Sequence, residues 1–345
     1  MAKKATIQDV AEAANVSIAT VSRVLNKPDA VKNVTRLRVQ KAFDAVGYHA
    51  PSRMPVEADP ETSTLPASEK PRSPARIILA ILPGLRNPFY ADVLDGLIAK
   101  ADFRGYEPVF YRAKMAQYSF KKLKRLVDDT NACGVLLFGR IAAPDVLEEL
   151  NRYVPIVQCA EFEKDSKLPY VSIDDYSAAR SVMQLLLDKG RRRIALINGS
   201  LHFKYAVERE RGYCDALKEA GIEIDPGLMV HQPVNEFELA LSAAARLINQ
   251  PNRPDAIFAV SDVSAVAAIH AVHRAGLRVP QDIAVVGFDD TYISQMCDPS
   301  LTTVRQRGSQ MGAYACEILL DLANGVQVTN PQVLMDVDLL VREST

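Results

Sequence analysis

The chain has 345 residues and a formal net charge of only −1. No apolar run approaches the ~20 residues of a membrane span, so no membrane partner is expected. Its five cysteines, Cys133, Cys159, Cys214, Cys297 and Cys316, are scattered and form no C-x-x-C pair. That spacing argues against a disulfide framework or a thiolate metal site and fits reduced thiols. The five histidines make no ligand pair with Cys or Asp, so no metal is expected. There is no G-x-S-x-G, P-loop or G-x-G-x-x-G, which argues against an enzyme and implies no cofactor. Met1-Ala2-Lys3-Lys4 leads straight into a polar helix rather than a secretory apolar stretch, so a cytoplasmic location is expected. With 48% hydrophobic and 24% charged residues, the composition is that of an ordinary globular protein with two or three domains.

Residues 6–26, T-I-Q-D-V-A-E-A-A-N-V-S-I-A-T-V-S-R-V-L-N, are the most informative stretch. Ile7, Val10 and Ala11 give one short helix an inward face, and Val16, Val21 and Val24 give a second helix another. Asn15 suits the bend between them, and Ser17 is placed to N-cap the second helix. That helix offers solvent Ser17, Ile18, Ala19, Thr20, Ser22 and Arg23. Small and hydroxyl side chains allow close approach to a duplex, and a guanidinium can fork onto a guanine edge or a phosphate. A third helix over about 34–46 would close the small core through Val34, Leu37, Val39, Ala42, Phe43 and Val46. The pattern is that of a helix-turn-helix DNA reader.

Charge distribution supports this. Residues 1–55 hold nine Lys/Arg against four Asp/Glu, a net +5, which leaves −6 on the other 290 residues. A basic head on an acidic body concentrates attraction for phosphate at one end. Between the two lies a stretch with Pro51, Pro55, Pro60, Pro66, Pro71 and Pro74, a composition that favours an extended tether.

The 6–26 run resembles the headpiece of the LacI/GalR family of bacterial transcription regulators, matching T-x-x-D-V-A-x-x-A-x-V-S-x-x-T-V-S-R-x-L-N at each fixed position. The resemblance implies DNA contacts by Thr6, Ser17, Ile18, Ala19, Thr20, Ser22, Arg23 and Asn26. It also implies a near-palindromic operator, a homodimer and a small-molecule effector. The tether departs from the family. Pro55 stands where the family's hinge helix needs a free N–H, and no A-x-x-L follows. The domains implied are 1–48 for the reader, 49–76 for the linker and 77–345 for the sensor.

From Ile77 onward, apolar β-rich runs alternate with amphipathic helical patterns. Strands are expected at Ile77–Leu82, Pro108–Tyr111, Gly134–Phe138, Pro155–Cys159, Arg193–Asn198, Ala256–Val260 and Ile283–Gly287. This alternation argues for parallel sheets flanked by helices. It resembles the two-lobed periplasmic-binding-protein-like α/β sensor of the family. By that resemblance the first lobe is about 77–173 plus 305–331. The second is 174–304 plus 332–345 and includes a final strand ending in V-R-E-S-T.

Ligands of open α/β sheets sit at the carboxyl ends of strands. Asn87-Pro88-Phe89-Tyr90 follows the first strand; its aromatics can stack on a ring and Asn87 can bond a hydroxyl, or Phe89 can simply plug the turn. By the family motifs R-x-x-G-[FYW] and G-[FY]-D, Arg209 and Asp289 would point into the cleft and bind sugar hydroxyls. Ser261 is expected in the cleft, with Asp262 capping the next helix. Phe203, Tyr205 and Gln306 complete the effector candidates, with Glu161 a lesser one. The motifs A-E-F at 160–162 and C-D-P-S-L-T-T at 297–303, with the degenerate hinge, resemble a cytidine-responsive member of the family. A nucleoside effector is therefore favoured over a pentose or hexose. A solute-binding protein for transport would share the two lobes without the DNA reader.

Overall fold

The computed structural model describes residues 6–18, 20, 21, 24, 35, 38, 39, 42, 76–113, 117–163 and 166–345. They fall into two units divided between residues 70 and 71.

In the first unit, helix α1 (Ile7–Ala13) opens with a reciprocal capping box. Thr6 Oγ1 accepts from Asp9 N, and the Asp9 carboxylate accepts from Thr6 N at 2.7 Å, so two helix-end donors are satisfied together. Asn15 takes the left-handed conformation, φ 49°, at the expected bend. Thr20 N donates to Ser17 Oγ at 3.2 Å, the N-cap bond that the sequence anticipates. Val10, Ala11, Ala14, Val21, Val24, Val39 and Ala42 share one buried cluster, so the third segment adds Val39 and Ala42 to this core, while Val34, Leu37, Phe43 and Val46 lie outside the described residues.

Among the described residues the second unit has two six-stranded sheets. The strands are β1 (Ile77–Leu82), β2 (Glu107–Arg112), β3 (Ala132–Leu137), β4 (Ile156–Cys159), β5 (Tyr170–Ile173) and β6 (Ile194–Asn198). They continue with β7 (Met229–His231), β8 (Ala256–Ala259), β9 (Ala284–Asp289), β10 (Thr302–Arg305), β11 (Gln332–Met335) and β12 (Asp338–Leu340). The first sheet runs β11-β5-β4-β3-β1-β2 and the second β12-β10-β9-β8-β6-β7. Only the β10–β12 pairing is antiparallel among the described residues.

Alternation sorts β1 side chains between two cores. Ile78, Ala80 and Leu82 face helices α2 (Phe89–Arg104) and, later in the chain, the long helix Gly308–Ala323. Leu79 and Ile81 face α3 (Phe120–Thr130) and α4 (Pro144–Tyr153). In the second lobe, α5 (Asp175–Asp188) and α6 (Lys204–Glu219) cover one face of the sheet. Helices α7 (Phe237–Ile248) and α8 (Asp262–Arg274) cover the other. A short α9 (Ile293–Met296) precedes β10, and the Gly308–Ala323 helix is α10.

Among the described residues the chain passes between lobes three times, between β5 and α5, between β10 and α10, and between β11 and β12. The last crossing falls later than the expected change at 331/332, because Gln332–Met335 pairs in parallel with Tyr170–Ile173 of the first sheet. Nor does V-R-E-S-T form the final strand. β12 ends at Leu340, and the tail hooks into the second lobe through its side chains. Ser344 Oγ donates to Val285 O at 2.6 Å, Arg342 Nη2 donates to Asp290 Oδ1 at 2.6 Å, and Thr302 N donates to Ser344 Oγ at 2.8 Å.

α2 and α10 cross at backbone contact. A Cβ on Gly96 would lie 1.8 Å from Ser309 O, and one on Gly312 would lie 1.9 Å from Val93 O. Neither helix can take a side chain there without separating from the other. Gly312→Ala is expected to destabilise the second unit by roughly 1–3 kcal/mol, the scale of overpacking a core. An unchanged urea midpoint would show that the two helices part freely.

Candidate functional site

The carboxyl ends of the two sheets face each other across a cavity of about 620 Å³. Its size falls within the ~300–1,000 Å³ of small-molecule sites. Eight of the nine effector candidates line it: Asn87, Phe89, Tyr90, Phe203, Tyr205, Arg209, Asp289 and Gln306. Glu161 lines it as well.

Two features of the first lobe follow from the β1–α2 turn. Asn87 Oδ1 accepts from Phe89 N at 3.1 Å, an Asx turn that opens α2. The Asn87 amide then donates across the cleft to Asp289 Oδ2 at 3.0 Å. Phe89 is buried in the core and still edges the cavity, so it both plugs the turn and forms wall. Its ring lies 5.6 Å from that of Tyr90. Phe203 and Tyr205 of the second lobe stack with centroids 5.7 Å apart and planes 21° apart.

Asp289 sits at the last position of β9 with φ 116°, and Asp290 follows at φ 54°. A non-glycine residue rarely holds such angles, which cluster where surrounding structure over-determines a functional turn. Asp289 Oδ1 accepts from Gln306 Nε2 at 2.7 Å, so Gln306 is oriented by the same carboxylate it would share with a ligand. Burial pushes the Asp289 carboxyl above its usual range, against the pull of Arg209, Asn87 and Gln306.

Arg209 is only 4% exposed and already engaged. Its Nε donates to Asp175 Oδ1 at 2.8 Å, and Nη2 lies 2.7 Å from the same oxygen. Nη1 donates to Val260 O at 2.6 Å. The guanidinium carbon stands 3.3 Å from the Phe288 ring centroid and 5.0 Å from that of Tyr205. Arg209 therefore presents only its remaining N–H donors to the cavity. Asp175, which sequence reasoning passed over, fixes it.

Neither Ser261 nor Asp262 has its expected role: Ser261 takes the cap expected of Asp262, and neither residue lines the cavity. Ser261 Oγ accepts from Ser264 N at 3.3 Å and is the N-cap of α8, turned away from the cavity lining. Asp262 points back under the sheet, where one oxygen accepts from Thr291 N (2.6 Å) and Thr291 Oγ1 (3.0 Å) and the other from Thr303 Oγ1 (2.6 Å). Burial first, and then the charge of Asp289, raise the Asp262 carboxyl well above its usual value.

Sequence reasoning also missed Asn235 and Glu236, which close the cavity from the β7–α7 loop. Asn235 Nδ2 donates to Tyr205 Oη at 3.2 Å, and Glu236 pairs with Arg86 across the lobes. Of the DNA-reading candidates, Thr6 caps α1, while Ser17, Ile18 and Thr20 lie at the start of the second helix with the Ile18 side chain 49% exposed. Ala19, Ser22, Arg23 and Asn26 lie outside the described residues, as does the expected linker up to residue 75. No described helix is long and apolar enough to cross a membrane.

Comparison with known proteins agrees with both units. Residues 6–51 match the family described as bacterial regulatory proteins, lacI family, and residues 183–345 match the periplasmic binding protein-like domain. The HTH-type transcriptional repressor CytR of Escherichia coli (strain K12) is 35% identical over 342 residues, 99% of this chain and 96% of the relative. A solved complex of the transcriptional regulator CelR with cellobiose is 28% identical, covers 99% of this chain and 100% of that one, and superposes with a TM-score of 0.69. The lac repressor dimer bound to operator shares the fold, with a TM-score of 0.69, 22% identity and 99% of each chain covered. The chain belongs to the LacI family of bacterial transcription regulators, with a helix-turn-helix DNA-binding headpiece joined to a two-lobed, periplasmic-binding-protein-like ligand-binding body, and its relatives are regulators rather than enzymes.

Proposed function

We propose that this chain is a cytoplasmic repressor that binds a near-palindromic operator as a homodimer and releases or grips it according to a nucleoside held between its lobes. The observation that carries the ligand class is the division of the cavity wall. Asp289, Gln306, Arg209 and Asn87 gather hydroxyl-binding groups at one place, and Phe203–Tyr205 and Phe89–Tyr90 supply aromatic faces beside them. A ribose is served by the first group and a planar base by the second. An ionised carboxylate has about four acceptor sites, so Asp289 can take adjacent sugar hydroxyls alongside or in place of Asn87 and Gln306. Resemblance to a cytidine-responsive family member supports the same class.

What favours a sugar instead is the solved cellobiose complex of a regulator that spans the whole chain. A thermal-shift screen of nucleosides, free bases, pentoses and hexoses separates the two, followed by a gel shift of the gene's upstream DNA with each hit. Stabilisation by nucleosides and not by sugars is the expected result. Stabilisation by a pentose or hexose alone would overturn the nucleoside reading.

For the headpiece, Arg23→Ala is expected to weaken operator binding by ~1–3 kcal/mol, the scale of a bidentate base contact. Thermal unfolding of the body should not change. Equal affinity of variant and wild type at matched salt would remove Arg23 from the interface.

A further inference from the structure

Helix α6 carries Tyr205 and Arg209 into the cavity, yet it lacks a cap of its own. Its N-cap residue, Phe203, makes no side-chain bond to the helix. The first backbone N–H groups of any helix have no partner within it. Here the partner comes from the other lobe. Glu161 follows β4, turned by Ala160 at φ 65°. Its Oε2 accepts from Lys204 N at 2.8 Å and its Oε1 from Tyr205 N at 3.2 Å. The residue is 5% exposed.

The nearby cations are committed elsewhere. Lys204 Nζ lies 2.7 Å from Asp175 Oδ2 and donates to Ser172 Oγ at 3.0 Å and Ile173 O at 3.1 Å. Arg209 is held on the other oxygen of Asp175. Glu161 is thus met by the dipoles of a helix end and forms no direct ion pair among the described residues. Within this cluster three carboxylates, Glu161, Asp175 and Asp289, face two cations, Lys204 and Arg209.

We infer that Glu161 is a positioning residue that caps α6 across the cleft, and that closing the lobes over it takes up a proton. In an open cleft the carboxyl is hydrated and titrates near its ordinary value. Closed, burial raises it to about 7 against the opposing pull of Lys204, with Asp175 adding to the rise and the N–H groups of Lys204 and Tyr205 opposing it. The other ionisable groups facing it are the phenols of Tyr90 on α2 and Tyr205 on α6, both pushed up and neutral throughout this range. The closed state therefore binds more protons than the open one between the two values. Its proton-linked stabilisation is complete below the open-state value and is lost as pH rises through about 7.

The inference rests on the cleft of the proposed function being the part that moves, but its test needs no ligand. Amide hydrogen exchange is measured on the full chain at pH 6 and pH 8 and corrected for intrinsic exchange chemistry. Protection of the Lys204 and Tyr205 amides should be about ten-fold greater at pH 6 in the wild type. Glu161→Gln, neutral and similar in shape, should give a flat profile with partial protection, and Glu161→Ala should lose protection at both pH values. A flat wild-type profile, or one that Glu161→Gln leaves unchanged, overturns the inference. Carbon-13 titration of wild-type glutamate carboxyls tests it without a variant. One carboxyl titrating near neutrality supports it, and all titrating in the ordinary carboxylate range overturns it. A sugar in place of a nucleoside leaves these outcomes untouched, so the two readings fail separately.

Discussion

Arg209→Met is expected to destabilise the ligand-binding body by ~3–5 kcal/mol, the cost of breaking a buried ion pair and leaving one charge behind. The charge left is Asp175, 2% exposed, which loses both guanidinium contacts at Oδ1 and keeps Lys204 at Oδ2. The Val260 carbonyl loses its donor as well. Methionine restores much of the packing over Phe288, so the loss reads mainly as electrostatics. The double variant Asp175→Asn/Arg209→Met should recover a large part of it, because no uncompensated carboxylate remains. Urea unfolding followed by circular dichroism measures both. A single variant as stable as wild type would mean that Lys204 alone satisfies Asp175, and Arg209 would then be held in place for ligand rather than for the fold.

This dual duty of Arg209 marks the limit of what its motif shows. R-x-x-G-[FYW] placed Arg209 on the cavity wall, but a motif read along one helix cannot reveal a carboxylate contributed by the N-terminus of another, thirty-four residues earlier. The long apolar strands were legible because I-I-L-A-I-L in β1 has helices on both faces and needs no polar alternation. The missed strands β5, β7 and β10 are short and interrupted by Ser172, His231, Thr302 and Thr303, so they lack the apolar run that made the equally short β8 visible. The cap was assigned to Asp262 rather than Ser261 because either side chain can cap a helix. What separates them is Thr291 and Thr303, which the fold brings beneath Asp262 from beyond β9. Asn235 lies in a polar loop with no periodicity, and only the fold carries that loop to the cavity. Glu161 was visible as an acid after a strand. Its bonds to the N-terminus of α6 come from sequence-distant residues and were not.

Asp289→Ala is expected to weaken the effector roughly 10- to 150-fold, equivalent to ~1.5–3 kcal/mol for a buried hydrogen bond to a charged group. The carboxylate is the point where the lobes and the ligand would meet, with Asn87 reaching it from the first lobe and Gln306 from the crossover into α10. Its removal takes away acceptor sites for hydroxyls and also one of the cross-cleft bonds that hold the lobes together. The fold should survive. Burial disfavours the ionised form of Asp289, and removing it also relieves the raised carboxyl of Asp262 beneath it. A melting temperature equal to or above that of wild type is therefore the expected companion result. Asp289→Asn separates charge from shape. If hydroxyls are bound by the ionised carboxylate, Asn should restore little affinity, since an amide replaces one acceptor with a donor. Operator affinity without effector should stay near wild type in both variants, because Asp289 is no part of the headpiece. Isothermal titration with the strongest compound of the screen measures the first effect, and a gel shift with and without that compound measures the second. Unchanged effector affinity with an intact fold would place the ligand elsewhere than this cavity.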